Sequence, residues 1–213
     1  MADKKIKICG ITTATALDAA VAARASHVGF NFYPPSPRCV SLPGVADLGR
    51  RAIGKTVRVG VFVDPAFDDL GAVVATGALD AIQFHGAEPP EVLAQAKTAF
   101  GLPVWKVLSI ASAEDLPRAA AFAGVADFLL LDAKTPKGTL PGGMGLKFDW
   151  GLLGGWQAPL PWGLAGGLHP GNVADAIRQT RAGLVDTASG VESAPGIKDP
   201  ALIAAFCNAV RSA

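Results

Sequence analysis

The sequence has few of the features that mark secreted, membrane or metal-binding proteins. Its three cysteines, Cys9, Cys39 and Cys207, are odd in number and far apart, which predicts neither a disulfide framework nor a metal-ligand pair and favours a reducing compartment. No apolar run reaches the ~18 residues of a membrane helix, and the first residues lack the apolar segment of a signal peptide. We therefore expect a cytoplasmic protein with no membrane partner.

Charged residues are also scarce, and they are balanced in sign. Asp, Glu, Lys and Arg make up 17% of the chain, with 19 basic against 18 acidic residues and a net charge of +1. The basic residues are scattered singly, without the stripe and interleaved aromatics that bind nucleic acid. His27, His85 and His169 are not spaced as metal ligands, and no nucleotide-binding glycine motif follows the first strand. We therefore expect no nucleic acid, no metal and no cofactor.

Apolar residues, by contrast, are plentiful enough for a sizeable core. Half of the 213 residues are apolar and the mean hydropathy is +0.35, which predicts one compact domain over residues 1–213. Short runs of Val, Ile, Leu and Phe alternate with Ala-rich segments of helical period, the pattern of repeated strand–helix units. Eight strands are predicted: Lys5–Ile11, His27–Tyr33, Val57–Asp64, Ala81–His85, Val104–Ile110, Asp127–Asp132, Trp162–Gly167 and Leu184–Ser189.

Helices are predicted between and after these strands: Ala14–Ala25, Val45–Ile53, Phe67–Thr76, Pro90–Phe100, Ala113–Phe122, a weak one at Trp150–Trp156, Gly171–Thr180 and Pro200–Val210. A proline follows Asp64, His169 and Asp199, and each pair predicts a helix start, because proline fits the first turn and aspartate can cap it. Eight unbroken units favour a closed barrel over an open doubly wound sheet. The predicted fold is therefore α/β, a single (β/α)8 TIM barrel.

In such a barrel the functional side chains stand at the C-terminal ends of the strands. Cys9 lies near the end of the first strand and shares a face with Lys7, because side chains two residues apart point to the same side of a strand. The charge of Lys7 is expected to lower the pKa of the Cys9 thiol and favour the thiolate. A lone cysteine is also commonly an inert buried residue, so both interpretations stay open from the residues alone.

Further polar residues stand at the ends of the fourth and sixth strands. Asp132 closes the apolar run Phe128–Leu131, where an ionised carboxylate is costly, so we expect it to hold a proton and act as an acid. A helix cap or a salt bridge to Lys134 is the structural alternative. Gln83 and His85 share a face, although either can equally be a structural residue. If these faces point inward, a thiol, an imidazole, an amide and a carboxylate surround one opening.

Glycine-bearing turns follow the last two strands. The seventh strand ends in Gly166 and Gly167, and the eighth ends in Ser189 and Gly190. Backbone N–H groups of consecutive loops at these two strands bind phosphate in barrels, and glycine permits a close approach. The pair of turns therefore favours a phosphorylated small-molecule substrate.

Two loops complete the predicted opening. Arg38 follows the stiff segment Pro34–Pro37 and is suited to bind a carboxylate through two parallel hydrogen bonds, although it can also be a solvated loop residue. The segment 134–147, rich in glycine, proline and threonine, follows the sixth strand and is predicted to be a mobile active-site loop.

A series of short motifs, one or more near each strand end, runs the length of the chain in this order: Lys7-Ile-Cys-Gly-Ile-Thr12, Gly29-Phe-Asn-Phe-Tyr-Pro34 with Ser36-Pro-Arg38, Val59-Gly-Val-Phe-Val63, Gln83-Phe-His-Gly86, Leu131-Asp132, Gly142-Gly-Met-Gly145 with Phe148-Asp-Trp150, Leu164-Ala-Gly-Gly-Leu168 with Pro170 and Asn172-Val173, and Val185-Asp186 with Ser189-Gly-Val-Glu192. The series resembles the phosphoribosylanthranilate isomerase family. That family is a (β/α)8 barrel of tryptophan biosynthesis that needs no cofactor.

The resemblance implies an Amadori rearrangement of N-(5-phosphoribosyl)anthranilate to 1-(2-carboxyphenylamino)-1-deoxyribulose 5-phosphate. It implies that Asp132 is the general acid that opens the sugar ring and that Cys9 is the general base at the ribose C2. The other implied roles are binding of the substrate carboxylate by Arg38, binding of the phosphate by Gly166, Gly167, Ser189 and Gly190, and supporting contacts at the mouth from Lys7, Gln83, His85 and Asp186.

The chain departs from the family pattern in two loops. Leu146 stands where the family often has lysine, with Met144 in place of a hydroxyl residue, and Ala188 stands where serine is common. Two alternatives stay open. One is another phosphate-binding barrel enzyme, although neither the metal-binding histidines of an epimerase nor the lysines of an indole-glycerol-phosphate synthase are visible. The other is a barrel that binds a phosphorylated ligand without catalysis. A monomer and a homodimer are both compatible with the sequence.

Overall fold

The computed structural model describes residues 4–133 and 149–213 of the chain. Eight parallel strands form a closed barrel in chain order, each paired with the next and the last paired with the first. The strands are β1 (Lys5–Cys9), β2 (His27–Asn31), β3 (Val57–Phe62), β4 (Ala81–Phe84), β5 (Val104–Ile110), β6 (Phe128–Ala133), β7 (Trp162–Leu164) and β8 (Leu184–Thr187). The predicted (β/α)8 barrel is thereby confirmed.

Helices follow most of the strands, with bounds α1 (Ala14–Ala22), α2 (Leu42–Ala52), α3 (Phe67–Val74), α4 (Pro90–Phe100), α5 (Val173–Thr180) and α6 (Pro200–Arg211). The segments Ala113–Phe122 and Trp150–Leu153, predicted as helices, are 3-10 helices. Pro117 lies inside the first of them, and proline removes the N–H that an α-helical turn requires. A 3-10 turn (Ser189–Val191) and a hairpin of β9 (Glu192–Ala194) and β10 (Ile197–Lys198) follow β8, and the hairpin was not predicted.

Most of the strands end earlier than the sequence predicts. β1 ends at Cys9 because Gly10 takes a positive φ of 77°, a conformation that favours glycine, and the chain leaves the sheet there. β7 likewise ends at Leu164, before Gly166 and Gly167, whose φ values are 86° and 62°. The residues at these ends therefore lie in the loops above the sheet, where they can turn toward the barrel opening.

Only one of the three predicted proline-marked caps is present. Asp199 caps α6 by accepting hydrogen bonds from the backbone N–H groups of Ala201 and Leu202. Asp64 does not cap α3: it has a φ of 44°, and its carboxylate accepts instead from the N–H of Ala87 in the next loop. The prediction at His169 is also wrong, because α5 begins at Val173 and the His169 Nδ1 accepts a local bond from the N–H of Gly171.

The apolar core has an outer and an inner part. The outer part lies between the barrel and its helices and contains most of the buried residues. The inner part is a small cluster on the inward faces of the strands: Val59, Ala81, Trp105, Val107, Leu130, Ala165 and Leu184. Several members stand near the starts of their strands, whereas the buried polar residues Lys7, Gln83, Asp132 and Asp186 stand further along theirs. The interior therefore changes from apolar to polar toward the C-terminal strand ends. Over the ranges 4–133 and 149–213, no helix has the length and apolar character that crossing a membrane would require.

His27 is a buried histidine inside the barrel, and it links stability to pH. Its Nδ1 lies 2.8 Å from the Ser26 Oγ, and its ring packs against Trp105 with centroids 5.4 Å apart. Burial, assisted by the charges of Lys7 and Lys5, lowers the pKa of His27 to about 4. Between that value and the ordinary pKa of about 6.5 the unfolded chain binds the extra proton, so the free energy of unfolding falls as the pH falls.

We expect the lowered pKa of His27 to reduce the free energy of unfolding by about 2 kcal/mol when the pH falls from 7 to about 5. Urea unfolding of the wild-type chain and of His27→Gln at the two pH values measures the difference, in which contributions of the other groups cancel. The variant should lose about 2 kcal/mol less than the wild type on acidification. Equal losses in the two proteins would show that His27 is not the source.

Candidate active site

A buried ion pair lies directly beside the predicted base. Lys7 on β1 and Asp186 on β8 face each other in register, and the Lys7 Nζ lies 2.9 Å from the Asp186 Oδ1. Lys7 is 0% exposed and Asp186 is 8% exposed. Cys9, two residues along β1, is partly buried and lies close enough to hydrogen-bond with the Lys7 ammonium. Strand alternation therefore predicted correctly that Lys7 and Cys9 share a face, and the structure shows that this face points into the barrel.

The electrostatic expectation for Cys9 is wrong in its net direction. Lys7 and Lys198 both favour the thiolate, but burial of the thiol, supported by the negative charge of Asp186, outweighs them and raises the pKa of Cys9. Burial alone would lower the pKa of Lys7, but the attraction of Asp186, with a smaller contribution from Cys9, raises it. The lysine is therefore a fixed cation, and in the ligand-free chain Cys9 is held mainly as the thiol.

A glycine on the neighbouring strand leaves the space that this cluster occupies. Gly29 on β2 pairs in register with Cys9. A Cβ at Gly29 would lie 2.8 Å from the Cys9 Sγ and 3.2 Å from the Lys7 Nζ. Any larger residue at this position would displace the thiol or the ammonium group.

The predicted acid lies on the other side of the barrel, on β6. Asp132 is 6% exposed, and its Oδ2 lies 3.2 Å from the Nε2 of His85 in the residues that follow β4. Its Oδ1 accepts a hydrogen bond of 2.8 Å from the N–H of Ala133. The glycine turn after β7 is adjacent, because a Cβ at Gly166 would lie 2.9 Å from the same Oδ1. The structure thus brings Asp132, His85 and Gly166 together; Lys134, the structural alternative as its partner, lies outside the described residues.

Gln83 lies deeper than the other predicted mouth residues. It stands on β4 two residues before His85, is 1% exposed, and its inward position pairs in register with Trp105. Among the described residues, no hydrogen-bond partner is found for its Oε1. A buried carbonyl oxygen without a hydrogen bond costs free energy, so the Gln83 Oε1 is suited to accept a hydrogen bond from a bound ligand.

Arg38 does have a carboxylate partner, and that partner is Glu192 of the chain itself. The Nε and Nη2 of Arg38 donate to the two carboxylate oxygens of Glu192 over 2.8 Å and 2.7 Å. Lys198 donates to the same carboxylate over 2.6 Å. Neither Glu192 nor Lys198 was predicted as a site residue. A signal existed for Glu192, which ends the last motif of the series, whereas Lys198 precedes the Asp199 cap in a hairpin that was not predicted.

The two glycine turns pack directly against each other, as the phosphate hypothesis requires. A Cβ at Gly190 would lie only 2.0 Å from the carbonyl oxygen of Leu168, and the Thr187 hydroxyl donates to that oxygen over 2.7 Å. Asn172 holds the first turn by donating to the Gly167 carbonyl oxygen over 2.9 Å. Within the described ranges, the backbone N–H of Gly167 has no protein acceptor.

Two sequence predictions fall on residues outside the described ranges. The segment 134–147, predicted to be a mobile active-site loop, lies outside the described residues, and so does the altered motif around Met144 and Leu146. In the described part of the chain, no group of three or more His, Cys, Asp or Glu side chains is arranged to hold a metal ion.

The fold and the placement of these side chains define the class of protein: an enzyme of the (β/α)8-barrel type, with its polar site at the C-terminal strand ends. Residues 6–209 match the model of the N-(5'phosphoribosyl)anthranilate (PRA) isomerase family. The chain is 50% identical, over 100% of both sequences, to the N-(5'-phosphoribosyl)anthranilate isomerase of Ruegeria sp. (strain TM1040).

Solved structures agree with the sequence match. The phosphoribosyl anthranilate isomerase of Thermotoga maritima superposes with a TM-score of 0.87 at 34% identity, covering 99% of this chain and 100% of that one. A phosphoribosyl anthranilate isomerase in complex with reduced 1-(o-carboxyphenylamino)-1-deoxyribulose 5-phosphate superposes with a TM-score of 0.85 at 32% identity, again over 99% and 100% of the two chains. This chain belongs to the phosphoribosylanthranilate isomerase family, which confirms the resemblance carried by the motifs.

The raised pKa of Cys9 can be tested by alkylation. In a Cys39→Ser variant, which removes the exposed thiol, iodoacetamide should modify Cys9 slowly at neutral pH and faster at alkaline pH, because only the thiolate reacts. The pH midpoint, followed by mass spectrometry of the Cys9 peptide, should lie above the ~8.5 of a free thiol. Lys7→Met combined with Asp186→Asn should move the midpoint further upward, because Lys7 lowers the pKa of Cys9 by more than Asp186 raises it. A wild-type midpoint below that of a free thiol would contradict the assignment.

Proposed function

We propose that this chain catalyses the rearrangement of N-(5-phosphoribosyl)anthranilate to 1-(2-carboxyphenylamino)-1-deoxyribulose 5-phosphate, with Asp132 as general acid and Cys9 as general base. One observation carries the proposal. A carboxyl group and a thiol stand near the C-terminal ends of two strands of the same barrel, on either side of two strands that end in glycine turns. The family match makes this the reaction to which such a pair is best suited.

The acid step uses Asp132. Its proton goes to the ring oxygen of the furanose, the bond from that oxygen to C1 breaks, and the nitrogen lone pair forms the C1=N bond of an open-chain Schiff base. His85 supports this role, because its Nε2 lies 3.2 Å from the carboxyl group and fixes its orientation. The bond from the N–H of Ala133 holds the other oxygen, so the carboxyl group has little freedom to rotate.

The base step uses Cys9. Cys9 enters this step as the thiolate, its thiol proton having passed first to water. The thiolate removes the proton from C2, and the electron pair forms the C1=C2 bond of an enolamine while the nitrogen takes back its electrons. Protonation at C1 and loss of the C2 hydroxyl proton then give the ketone. The thiol gives its proton to C1, and the C2 hydroxyl gives its proton to the carboxylate of Asp132. Cys9 therefore ends as the thiolate and Asp132 as the acid, the states in which they entered the two steps.

The cations around Cys9 support the second step. Lys7 and Lys198 both stabilise the thiolate, and Lys7 is fixed in place by Asp186. Because burial keeps the thiol protonated in the ligand-free chain, these charges determine how readily the thiolate forms when the reaction needs it. Lys7 and Asp186 therefore act on the base, rather than on the substrate alone.

The phosphate and the carboxylate of the substrate are proposed to bind the remaining predicted site residues. The N–H groups of Gly167 and Gly190, with their neighbours Gly166 and Ser189, are proposed to bind the phosphate. Arg38 is proposed to bind the anthranilate carboxylate with the N–H groups that Glu192 does not occupy. A relative solved with the reduced product bound supports a ligand that carries both groups. Gln83, buried below His85, is proposed to contribute a polar contact from beneath the ligand.

The cellular setting follows from the same assignment. We propose that the enzyme acts in the cytoplasm, as a single domain spanning residues 1–213, on a free small molecule rather than on nucleic acid or at a membrane. Both a monomer and a homodimer are compatible with a site built from one chain. Sedimentation of the purified protein decides between them.

Removal of either reacting group should abolish most of the turnover. Cys9→Ser and Asp132→Asn should each lower kcat by about 10²- to 10⁴-fold with a modest change in KM, because each removes a proton transfer rather than a binding contact. The fluorescence loss of phosphoribosylanthranilate measures turnover. The same substitutions at exposed positions, Cys39→Ser and Asp69→Asn, serve as matched controls and should leave kcat unchanged. Near-normal turnover in either site variant would refute the role of that residue.

Loss of Arg38 should act mainly on substrate binding. Arg38→Ala should raise KM by about 10- to 100-fold, the loss expected for charge-assisted hydrogen bonds to a carboxylate. Glu192 keeps Lys198 and the Gly196 N–H as partners in this variant, so the fold should survive. If neither KM nor kcat changed, Arg38 would not bind the substrate carboxylate.

A further inference from the structure

Arg38 is held in one orientation by the backbone beneath it and by a carboxylate beside it. Its side chain passes over Gly10, where a Cβ would lie 2.5 Å from the Arg38 Cδ. Its Nε and Nη2 both donate to Glu192, which uses one edge of the planar guanidinium group. A guanidinium has five N–H donors, so the edge formed by Nη1 and the second hydrogen of Nη2 stays available for another carboxylate.

Glu192 is a buried carboxylate with every lone-pair direction used inside the protein. Its Oε1 accepts from Arg38 and from Lys198, and its Oε2 accepts from Arg38 and from the N–H of Gly196 over 3.2 Å. Its side chain is 4% exposed. Burial would raise the pKa of Glu192, but the hydrogen bonds from Arg38 and the charge of Lys198 outweigh it and lower the pKa. The group is therefore ionised at neutral pH and is not free to bind solvent or ligand.

Lys198 connects this carboxylate to the turn after β8. Its side chain is 0% exposed, and its Nζ donates to Glu192 over 2.6 Å and to the carbonyl oxygen of Ala188 over 2.8 Å. Ala188 directly precedes Ser189 and Gly190 in the chain. Lys198 and Glu192 also face each other in register across the β9–β10 hairpin. A single ammonium group thus joins Arg38, through Glu192, to the turn proposed to bind phosphate.

The charges of this cluster do not cancel. Arg38 and Lys198 carry two positive charges, and Glu192 carries one negative charge, so one positive charge remains for an anionic ligand. An arginine with a protein carboxylate on one edge loses little rotational freedom when a ligand binds the other edge. Glu192 therefore favours binding by orienting Arg38, while Lys198 prevents the carboxylate from neutralising the site.

We propose that Glu192 and Lys198 are positioning residues for substrate binding: Glu192 orients the free edge of Arg38 toward the substrate carboxylate, and Lys198 fixes the phosphate-binding turn relative to it. The inference rests on the proposed function for the identity of the substrate. It adds two residues to the site that have no contact with the reacting atoms.

The experiment separates the two ends of the ligand. Two probes are compared by calorimetry: reduced 1-(2-carboxyphenylamino)-1-deoxyribulose 5-phosphate and its phenylamino analogue, which lacks the carboxylate. Glu192→Gln keeps the side-chain volume but loses the charge, and it should weaken binding of the first probe by about 10-fold and leave the second nearly unchanged. Equal weakening of both probes, or of neither, would overturn the role of Glu192.

A double-mutant comparison shows whether Glu192 acts through Arg38. In an Arg38→Ala background, Glu192→Gln should cause no further loss of affinity for the carboxylate-bearing probe, because the group that it orients is gone. Losses that add fully would show that Glu192 acts independently, against the proposal. Glu91→Gln, at an exposed position on α4, is the matched control and should change no affinity. If Glu192→Gln does not fold, Glu192→Asp keeps the charge but shortens the reach, and it should show the same selective loss.

Lys198 has a different expected signature. Lys198→Met keeps the buried volume and leaves Glu192 paired with Arg38, so it should weaken both probes by a similar factor through the phosphate turn. A loss confined to the carboxylate-bearing probe, or no loss, would overturn this part of the proposal. Lys198→Gln, which loses the charge and the reach to both oxygens, replaces it if the methionine variant does not fold. Lys198→Arg, which can still donate to both oxygens, is the conservative control and should keep both affinities near those of the wild type. Because binding rather than turnover is measured, wild-type affinity without isomerase activity would reject the proposed reaction while leaving the positioning roles to be judged.

Discussion

The site depends on the ion pair between Lys7 and Asp186. A lysine with no exposed surface inside a barrel is tolerated only because a carboxylate in register on the adjacent strand compensates its charge. Removing either partner alone would leave an unpaired buried charge, which is more costly than the pair itself is stabilising. The pair therefore fixes a cation next to Cys9, and Gly29 on the next strand provides the space for both side chains.

The loops around the opening are held by two similar clusters, each centred on a buried glutamate. On one side Glu192 accepts from Arg38, from Lys198 and from the N–H of Gly196. On the other side Glu88 accepts from the Lys106 Nζ over 2.6 Å and from the backbone N–H groups of Asp64 and Gly86. Because each carboxylate binds a lysine and backbone donors from its surroundings, it sets the positions of the strand ends that it joins.

The Glu88 cluster also accounts for features of the chain that helix capping did not explain. Asp64 was expected to cap α3. Instead, its backbone N–H donates to Glu88 and its carboxylate accepts from the N–H of Ala87, so both groups bind the loop after β4. A Cβ at Gly86 would lie 2.5 Å from the Asp64 Oδ1, which shows how closely the two loops pack. This loop continues directly from His85, the residue that contacts Asp132.

The sequence predicted the features that depend on local pattern. Period-two alternation put Lys7 and Cys9 on one face of β1, and the glycine-bearing segments Gly166-Gly167 and Ser189-Gly190 marked the turns after β7 and β8. Features that depend on distant pairing were not predictable in the same way. The bond between Arg38 and Glu192 joins residues 154 positions apart, and the net pKa direction of Cys9 depends on a balance between burial and three charges that only the folded barrel sets. The sign of that balance cannot be read from a lysine two residues away.

The distribution of charge around the opening gives the substrate one orientation. Lys7, Arg38 and Lys198 lie around β1, β8 and the hairpin that follows, and after pairing with Asp186 and Glu192 they leave one net positive charge on that side. Asp132 and His85 stand on the side of β4 and β6. A ligand with a phosphate and a carboxylate is drawn by both anions toward the cationic side. In the proposed reaction the uncharged sugar ring would lie between the thiol and the carboxyl group, so that one gives a proton to the ring oxygen and the other takes a proton from C2. An opening with evenly mixed charges would bind the same molecule in several orientations, and most of them would place the wrong atoms beside Cys9 and Asp132.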